Sequence, residues 1–273
     1  MTSIAASAAS RVGAGYGYPA EDPLVLQESN NTVVWLRPHP VIAKVGKWRH
    51  SAETLVREHA VAVVLAAGGA PIAAPLAGVE PTHDDETGFL VTLWNRLAHA
   101  PASKVGSADL GDSLRRLHDH LARYEGELPS FQVGLNRARV ALADDQLMAA
   151  LPTRDLQMLR AAFDRVSEEV EALDYSEQPL HGEPHGDNLL ATSAGLRWID
   201  LEAVCVGPLE WDLAFLPEDS ISVFPEADLE LLGLLSTLNS ACVATWCWLR
   251  SELDQMRRHG EYHLEQVRRA NVS

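Results

Sequence analysis

The chain predicts an α+β fold: an antiparallel, strand-rich first third with one main helix, then a mostly helical remainder. Three observations carry that expectation. Short β-branched or apolar runs separated by turn residues crowd into residues 23–45. A helix signature follows at once over 51–69. Beyond about residue 98, leucines recur at helical spacing.

Taken in order, MTSIAASAASRVGAG lacks the basic and continuously apolar segments of a secretion signal and reads as a short helix or frayed start. PLVLQE (23–28), TVVWLR (32–37) and VIAKV (41–45) are strands broken by SNN and PHP turns. SAETLVREHAVAVVLAAGG (51–69) is a helix with Ser51 as N-cap, Glu53 in its first turn and Gly68–Gly69 as its stop. Pro71 and Pro75 bracket a short strand, and TGFLVTLW (87–94) is another. Leu110, Leu114, Leu117 and Leu121 mark a helix over 107–124, and TRDLQMLRAAFDRVSEEVEAL (153–173) a second. NLLATSAGLRWIDLE (188–202) is a hairpin around SAG, and helices near 226–250 and 253–269 close the chain. The change of character divides the sequence into 1–96 and 97–273.

Composition narrows the function. At 273 residues and 47% hydrophobic the chain can bury a full core. It has no run of roughly 18 uncharged apolar residues, so no membrane span is expected. Cys205, Cys242 and Cys247 form no metal-binding spacing and are odd in number, which fits free buried thiols in a reducing cytoplasm. A formal charge of −16 argues against nucleic acid as a partner, since phosphate binding needs a basic face. It is compatible with steering a cationic substrate. Only three lysines occur, Lys44, Lys47 and Lys104.

The chemistry concentrates in LHGEPHGDNLL (180–190), a polar cluster between apolar flanks. Asn188 follows Glu183 by five residues, and Asp200, where the second hairpin strand ends, follows it by seventeen. His181, Glu183 and His185 stand at alternate positions, which suits a hydrolytic zinc site. The helical H-E-x-x-H spacing and a C-x-x-C pair are both missing, however, and zinc leaves Lys44, Asn188 and Asp200 without a task. A lysine in a short apolar strand ordinarily faces solvent from an edge. Lys44 is set apart by the scarcity of lysine and by Glu58, fourteen residues on in the next helix, with Glu53 as the competing partner.

HGEPHGDN resembles the H-G-D-x-H-x-x-N catalytic loop of the aminoglycoside phosphotransferase family of kinase-like small-molecule kinases. The likeness runs through nearly the whole chain, in VIAKV, REHAVAVVLAAGGAPIAAPL, VTLWNRL, LRRLH and WIDLEAVCVGPLEWDLA. The loop together with the ID…GPLEWDLA segment is the specific part of the signal. The resemblance implies a bilobal protein-kinase-like fold, with a nucleotide-binding lobe over 1–96 and a helical lobe with catalytic loop and acceptor site over 97–273. It implies ATP (or GTP) and Mg2+ as cofactors and a small hydroxyl-bearing acceptor, a cationic one among the expected classes. Glu183 would be the catalytic carboxylate, and Lys44 with Glu58 the phosphate clamp. Asn188 and Asp200 would be magnesium ligands, whose oxygens suit that ion as histidines do not. His181 and Asp212 would be structural supports, and backbone groups of Leu93, Trp94 and Asn95 would meet the base.

Two departures stand out. Glu183 replaces the family's usual Asp, moving the carboxylate by about one methylene where such a group contributes roughly 10²–10⁴-fold. A shifted HGD at 185–187 loses the asparagine, since Thr192 falls at that spacing. The tip of the first hairpin, ESNNT, has no glycine, so Ser29, Asn30, Asn31 and Thr32 would cover the phosphates through backbone and hydroxyl donors. From residue 201 onward twelve acidic residues face five arginines, and Glu218, Asp219, Glu226 and Asp228 are candidates to bind amines of a cationic acceptor. A solvated helix entry explains them equally well. Trp211, Trp246 and Trp248 are expected in the core of the helical part, and Trp94 at the lobe junction. Phosphorylation of an antibiotic is the leading role by resemblance. Phosphorylation of a choline-, homoserine- or sugar-like metabolite is the main alternative, ahead of a catalytically impaired kinase and a zinc hydrolase.

Overall fold

The computed structural model describes residues 3–100 and 105–271, so Lys104 lies outside it. In chain order the elements are α1 (Ile4–Gly15), β1 (Asp22–Glu28), β2 (Thr32–Arg37), β3 (Val41–Gly46), α2 (Arg49–Ala67), β4 (Thr82–His83), β5 (Leu90–Asn95), β6 (His99–Ala100) and α3 (Ser107–Leu121). They continue as α4 (Gln132–Ala143), α5 (Thr153–Glu171), β7 (Gln178–Leu180), β8 (Leu189–Thr192), β9 (Gly195–Trp198), β10 (Cys205–Gly207), α6 (Leu209–Leu213), α7 (Glu218–Ile221), α8 (Leu229–Trp248) and α9 (Asp254–Ala270). Two compact units result, one from Met1–Gly126 with His185–Val204, the other from Glu127–Pro184 with Cys205–Ser273. Chain order and contact therefore divide the sequence differently. The 185–204 hairpin joins the first unit because β8 pairs with β6 and Trp198 bridges to Ile72.

The first unit is built on an antiparallel sheet of order β1-β2-β3-β5-β4. Side chains alternate across a strand. Val41, Ala43 and Val45 are therefore buried on one face, while Ile42 and Lys44 turn to the other. The first face is covered by α1, whose Ala5, Ala6, Ala9 and Val12 share one apolar cluster with Val34, Leu36, Ala43 and Val91. The small residues let the helix lie close. At Gly13 an added Cβ would sit 2.5 Å from Leu36 Cδ1 and 3.1 Å from the Tyr18 carbonyl. The helix begins at Ser3, whose Oγ accepts the Ala6 N–H at 3.1 Å. α2 reaches the opposite face, where Glu58 meets Lys44.

The second unit packs α4, α5, α8 and α9 around a core that includes Leu159, Phe163, Leu235, Leu238 and Val267. α8 is apolar all round, as a central helix should be. Among the described residues it is the one helix long and apolar enough to cross a membrane, and 61% of that stretch is buried within the fold. All three cysteines are buried and none is in a disulfide.

Several sequence expectations need correction. α2 starts at Arg49, with Trp48 as N-cap; Ser51 lies inside the first turn, its Oγ accepting the Trp48 N–H at 3.0 Å and donating to the Trp48 carbonyl at 2.9 Å. The 71–75 stretch makes only single bridges, Ile72 to Trp198 and Pro75 to Trp94, because its prolines cannot sustain a ladder. Trp211 and Trp248 are buried, but Trp246 is 37% exposed. α4 had no counterpart in the sequence reading, since exposed Val133 and Val140 blur its apolar stripe and Gly134 interrupts it.

Candidate active site

Lys44 sits in the middle of β3, opposite Val33 on β2 and Thr92 on β5. Its ammonium donates to Glu58 Oε1 at 2.7 Å, Asp200 Oδ1 at 2.9 Å and Glu202 Oε1 at 3.1 Å. It also lies 5.8 Å from the centre of the Trp94 ring. One cation thus faces three carboxylates. Oxygens of Glu58, Asp200 and Glu202 lie within 4.8 Å of one another and form the one group of three such ligands among the described residues. Burial alone would lower the Lys44 pKa, but the three negative charges outweigh it and hold the lysine charged well above its ordinary value. Glu58 is pushed up to about 8, first by burial, against the pull of Lys44, with Asp200 and Glu202 adding repulsion. Glu202 is raised too, chiefly by burial, while Asn31 and Lys44 favour its ionised form.

The local folding explains this convergence. Glu58 lies on the buried stripe of α2 with Thr54, Leu55, Val61 and Leu65. Its Oε1 accepts a second bond, from the Leu201 N–H at 3.0 Å, and Arg57 Nη2 donates to the Glu202 carbonyl at 3.1 Å. α2 therefore grips the 200–202 turn at two points. Asp200 is the only non-glycine with a positive φ among the described residues, at φ 64 and ψ 59. Such a conformation costs on the order of 1 kcal/mol or more, and Asp is among the side chains that tolerate it. It ends the hairpin abruptly and turns the Asp200 carboxylate toward Lys44.

Asn188 closes a short 3₁₀ turn over Gly186–Asn188, and its carbonyl accepts the Ile199 N–H at 2.9 Å. Leu189 and Trp198 pair at the same end. The hairpin therefore brings Asn188 and Asp200 to its open mouth, which is the physical meaning of their twelve-residue separation. Asn188 is buried, with Nδ2 3.3 Å from His185 Nε2.

The other half of the loop belongs to the second unit. Asp212 Oδ2 accepts the His181 N–H at 2.9 Å, and its Oδ1 accepts the Gly182 N–H at 2.8 Å. Gly182 needs φ 89, which a side chain would strain. His181 is fully buried and its Nδ1 takes the Glu183 N–H at 3.3 Å, while the Glu183 side chain is exposed. β7 and β10 pair through Leu180 and Cys205 and anchor the entry to the loop.

The remaining expected residues distribute unevenly. In the β1–β2 turn Ser29 and Asn30 are exposed, whereas Asn31 and Thr32 are buried. The backbone of Leu93–Asn95 is already engaged in the sheet. Leu93 O accepts from Leu76 N, Asn95 N donates to Ala74 O, and the opposite edge pairs with β3. β5 runs on through Asn95, one residue past the strand end read from the sequence. Trp94 is buried and donates from Nε1 to Thr92 Oγ1 at 2.8 Å. Glu53 pairs with exposed Arg49 at 3.1 Å and takes no part at Lys44. Glu218, Asp219 and Glu226 are exposed, and Asp228 caps α8 by accepting the Glu230 and Leu231 N–H groups. Sequence reasoning missed Glu202. Its signal was a second carboxylate two residues beyond Asp200, close enough to share one turn with it.

The sequence model of the phosphotransferase enzyme family matches residues 23–236. Solved structures share the fold. Wild-type aminoglycoside 2′-phosphotransferase-IIIa in its GDP complex gives a TM-score of 0.71 at 14% identity, covering 98% of this chain and 100% of that one. Amicoumacin kinase hAmiN, in complex with AMP-PNP, Ca2+ and Ami, gives 0.69 at 14% identity over 90% and 88%. A choline/ethanolamine kinase family protein from Mesorhizobium loti gives 0.67 at 16% identity over 98% and 94%. No curated protein has a significantly similar sequence. With a family match over most of its length and this site on its sheet, the chain belongs to the phosphotransferase enzyme family and is a small-molecule kinase acting on a hydroxyl group.

Proposed function

We propose that the protein moves the γ-phosphoryl group of ATP to a hydroxyl of a cationic, antibiotic-like small molecule, with Mg2+ as the metal, in the cytoplasm. The single observation that carries this reading is the excess of carboxylate around Lys44, three acidic groups for one ammonium. Such a cluster calls for further positive charge. The donors fit magnesium, because Glu58, Asp200, Glu202 and Asn188 all offer oxygen. When bound, the ion would neutralise charge on the phosphates. Lys44 supplies a compact cation toward the phosphates, and Glu58, almost fully buried, sets its direction. Asn31 and Thr32 line the turn over the phosphates, with Ser29 and Asn30 at its exposed tip. The base meets the chain at the end of β5, around Leu93–Asn95. Glu183 orients or deprotonates the acceptor hydroxyl, on a loop held by His181 and Asp212. On the acceptor side Glu218, Asp219 and Glu226, all exposed, are the candidate amine partners, while Asp228 caps α8. The functional division stays at 96/97.

A second reading, a choline-like metabolite alcohol as acceptor, is supported by the likeness to the M. loti choline/ethanolamine kinase family protein. A nucleotide-consumption screen separates the two. Aminoglycosides, other cationic antibiotics and common metabolite alcohols are offered with Mg·ATP, and phosphate addition is read by mass spectrometry. Turnover on antibiotics alone supports the first reading, and turnover on metabolite alcohols alone replaces it with the second. Nucleotide binding without turnover on either panel overturns both.

A further inference from the structure

His259 and His263 stand four residues apart on α9, their ring centres 4.6 Å apart and their planes at 82°. Residues at that spacing share one helix face. His259 is exposed and His263 half-buried. Across the helix pair, Ser240 Oγ of α8 lies 3.4 Å from His263 Nδ1, which holds the ring from behind and leaves Nε2 as its second nitrogen. Metal-binding histidines are oriented in this way, by a polar partner on the nitrogen that does not bind the ion.

We propose that His259 and His263 form a chelating site for a borderline divalent cation, Zn2+ or Cu2+, held by two imidazole nitrogens and completed by water. Imidazole favours these ions over Mg2+, so the site is chemically distinct from the oxygen-lined cluster at Lys44. HGEYH is not H-E-x-x-H: the glutamate stands at the third position, so the pair binds metal without the base that hydrolysis needs. Both histidines also fall outside residues 23–236, the part that matches the family.

The test titrates the full chain with Cu2+, read by nitrogen couplings in electron paramagnetic resonance, and with Zn2+, read by calorimetry. One bound Cu2+ with two imidazole nitrogens is expected, unaffected by excess Mg2+. His259→Gln, at an exposed position, and His263→Gln should each weaken binding by about tenfold or more, and Ser240→Ala by about tenfold, with far-UV circular dichroism unchanged. His39→Gln, at another exposed histidine, should bind as the parent does. The proposal is overturned if His259→Gln binds Cu2+ like the parent, or if Mg2+ displaces the ion.

Discussion

Two buried carboxylates of the first unit, Asp84 and Glu58, are 3% and 1% exposed yet behave in opposite ways. Asp84 is fully matched. Arg11 of α1 donates to both of its oxygens at 2.7 Å, and Thr87 adds its backbone N–H and hydroxyl. These bonds, the Arg11 one foremost, hold Asp84 well below the ordinary carboxylate range. Glu58 shares the Lys44 ammonium with Asp200 and Glu202, and its Oε2 is buried without a hydrogen-bond partner among the described residues. Burial accordingly pushes it up to about 8. A matched buried charge fastens one element to another. An over-subscribed one leaves negative charge in excess of its counter-charge.

Substitutions on the two sides should therefore separate activity from stability. Asp200→Asn should lower phosphoryl transfer at least about 10³-fold while the unfolding transition stays in place, because it removes charge only where charge is in excess; a coupled nucleotide assay reads this. Lys44→Met should abolish transfer and also cost about 3 kcal/mol in urea unfolding, since three carboxylates lose their counter-charge. Asp84→Ala should cost about 2–3 kcal/mol by the same measurement, with kcat/KM of the folded protein unchanged. A loss of activity from Asp84→Ala as large as that from Asp200→Asn would erase the distinction.

The two groups should also part with pH. Folded Glu58 keeps a proton that the unfolded chain releases above about 4.3, so its contribution makes stability fall as pH rises from there toward 8. Asp84 has its folded pKa depressed, so its contribution is present above about 3.9 and is lost as pH falls below that value. Mg2+ should raise Tm more at pH 8 than at pH 5 in the parent, and by an equal amount at both in Asp200→Asn. The smallest effect belongs to Glu53→Ala. Its partner Arg49 is 94% exposed, so stability should move by no more than about 0.5 kcal/mol and activity not at all. Any larger change would reopen Glu53 as a partner of Lys44.

Much of this was legible before the coordinates. VIAKV alternates cleanly, so the facing of Lys44 follows from its neighbours, and fourteen residues carry the chain from mid-strand to the buried stripe of α2. Asn188 and Asp200 were readable because a hairpin converts sequence separation into adjacency at its mouth. The rest depended on three-dimensional partners. Nothing in MTSIAASAASRVGAG says that its alanines will roof a sheet or that Arg11 will find Asp84, seventy-three residues away. The start of α2 moved because Ser51 bonds the Trp48 backbone from within the helix, a use of serine that sequence cannot tell from N-capping. The end of β5 moved because Ala74 and Leu76 pair with it, although prolines made that stretch a poor strand.

The Lys44 cluster is tested most directly by Mn2+ titration in the presence of AMP-PNP, read as the loss of free-ion signal in electron paramagnetic resonance. Tight Mn2+ binding is expected in the parent and in Asp84→Ala, and its loss in Asp200→Asn. Equal binding by the parent and Asp200→Asn would show that the carboxylates around Lys44 hold no metal, and would contradict the phosphoryl-transfer assignment of these residues.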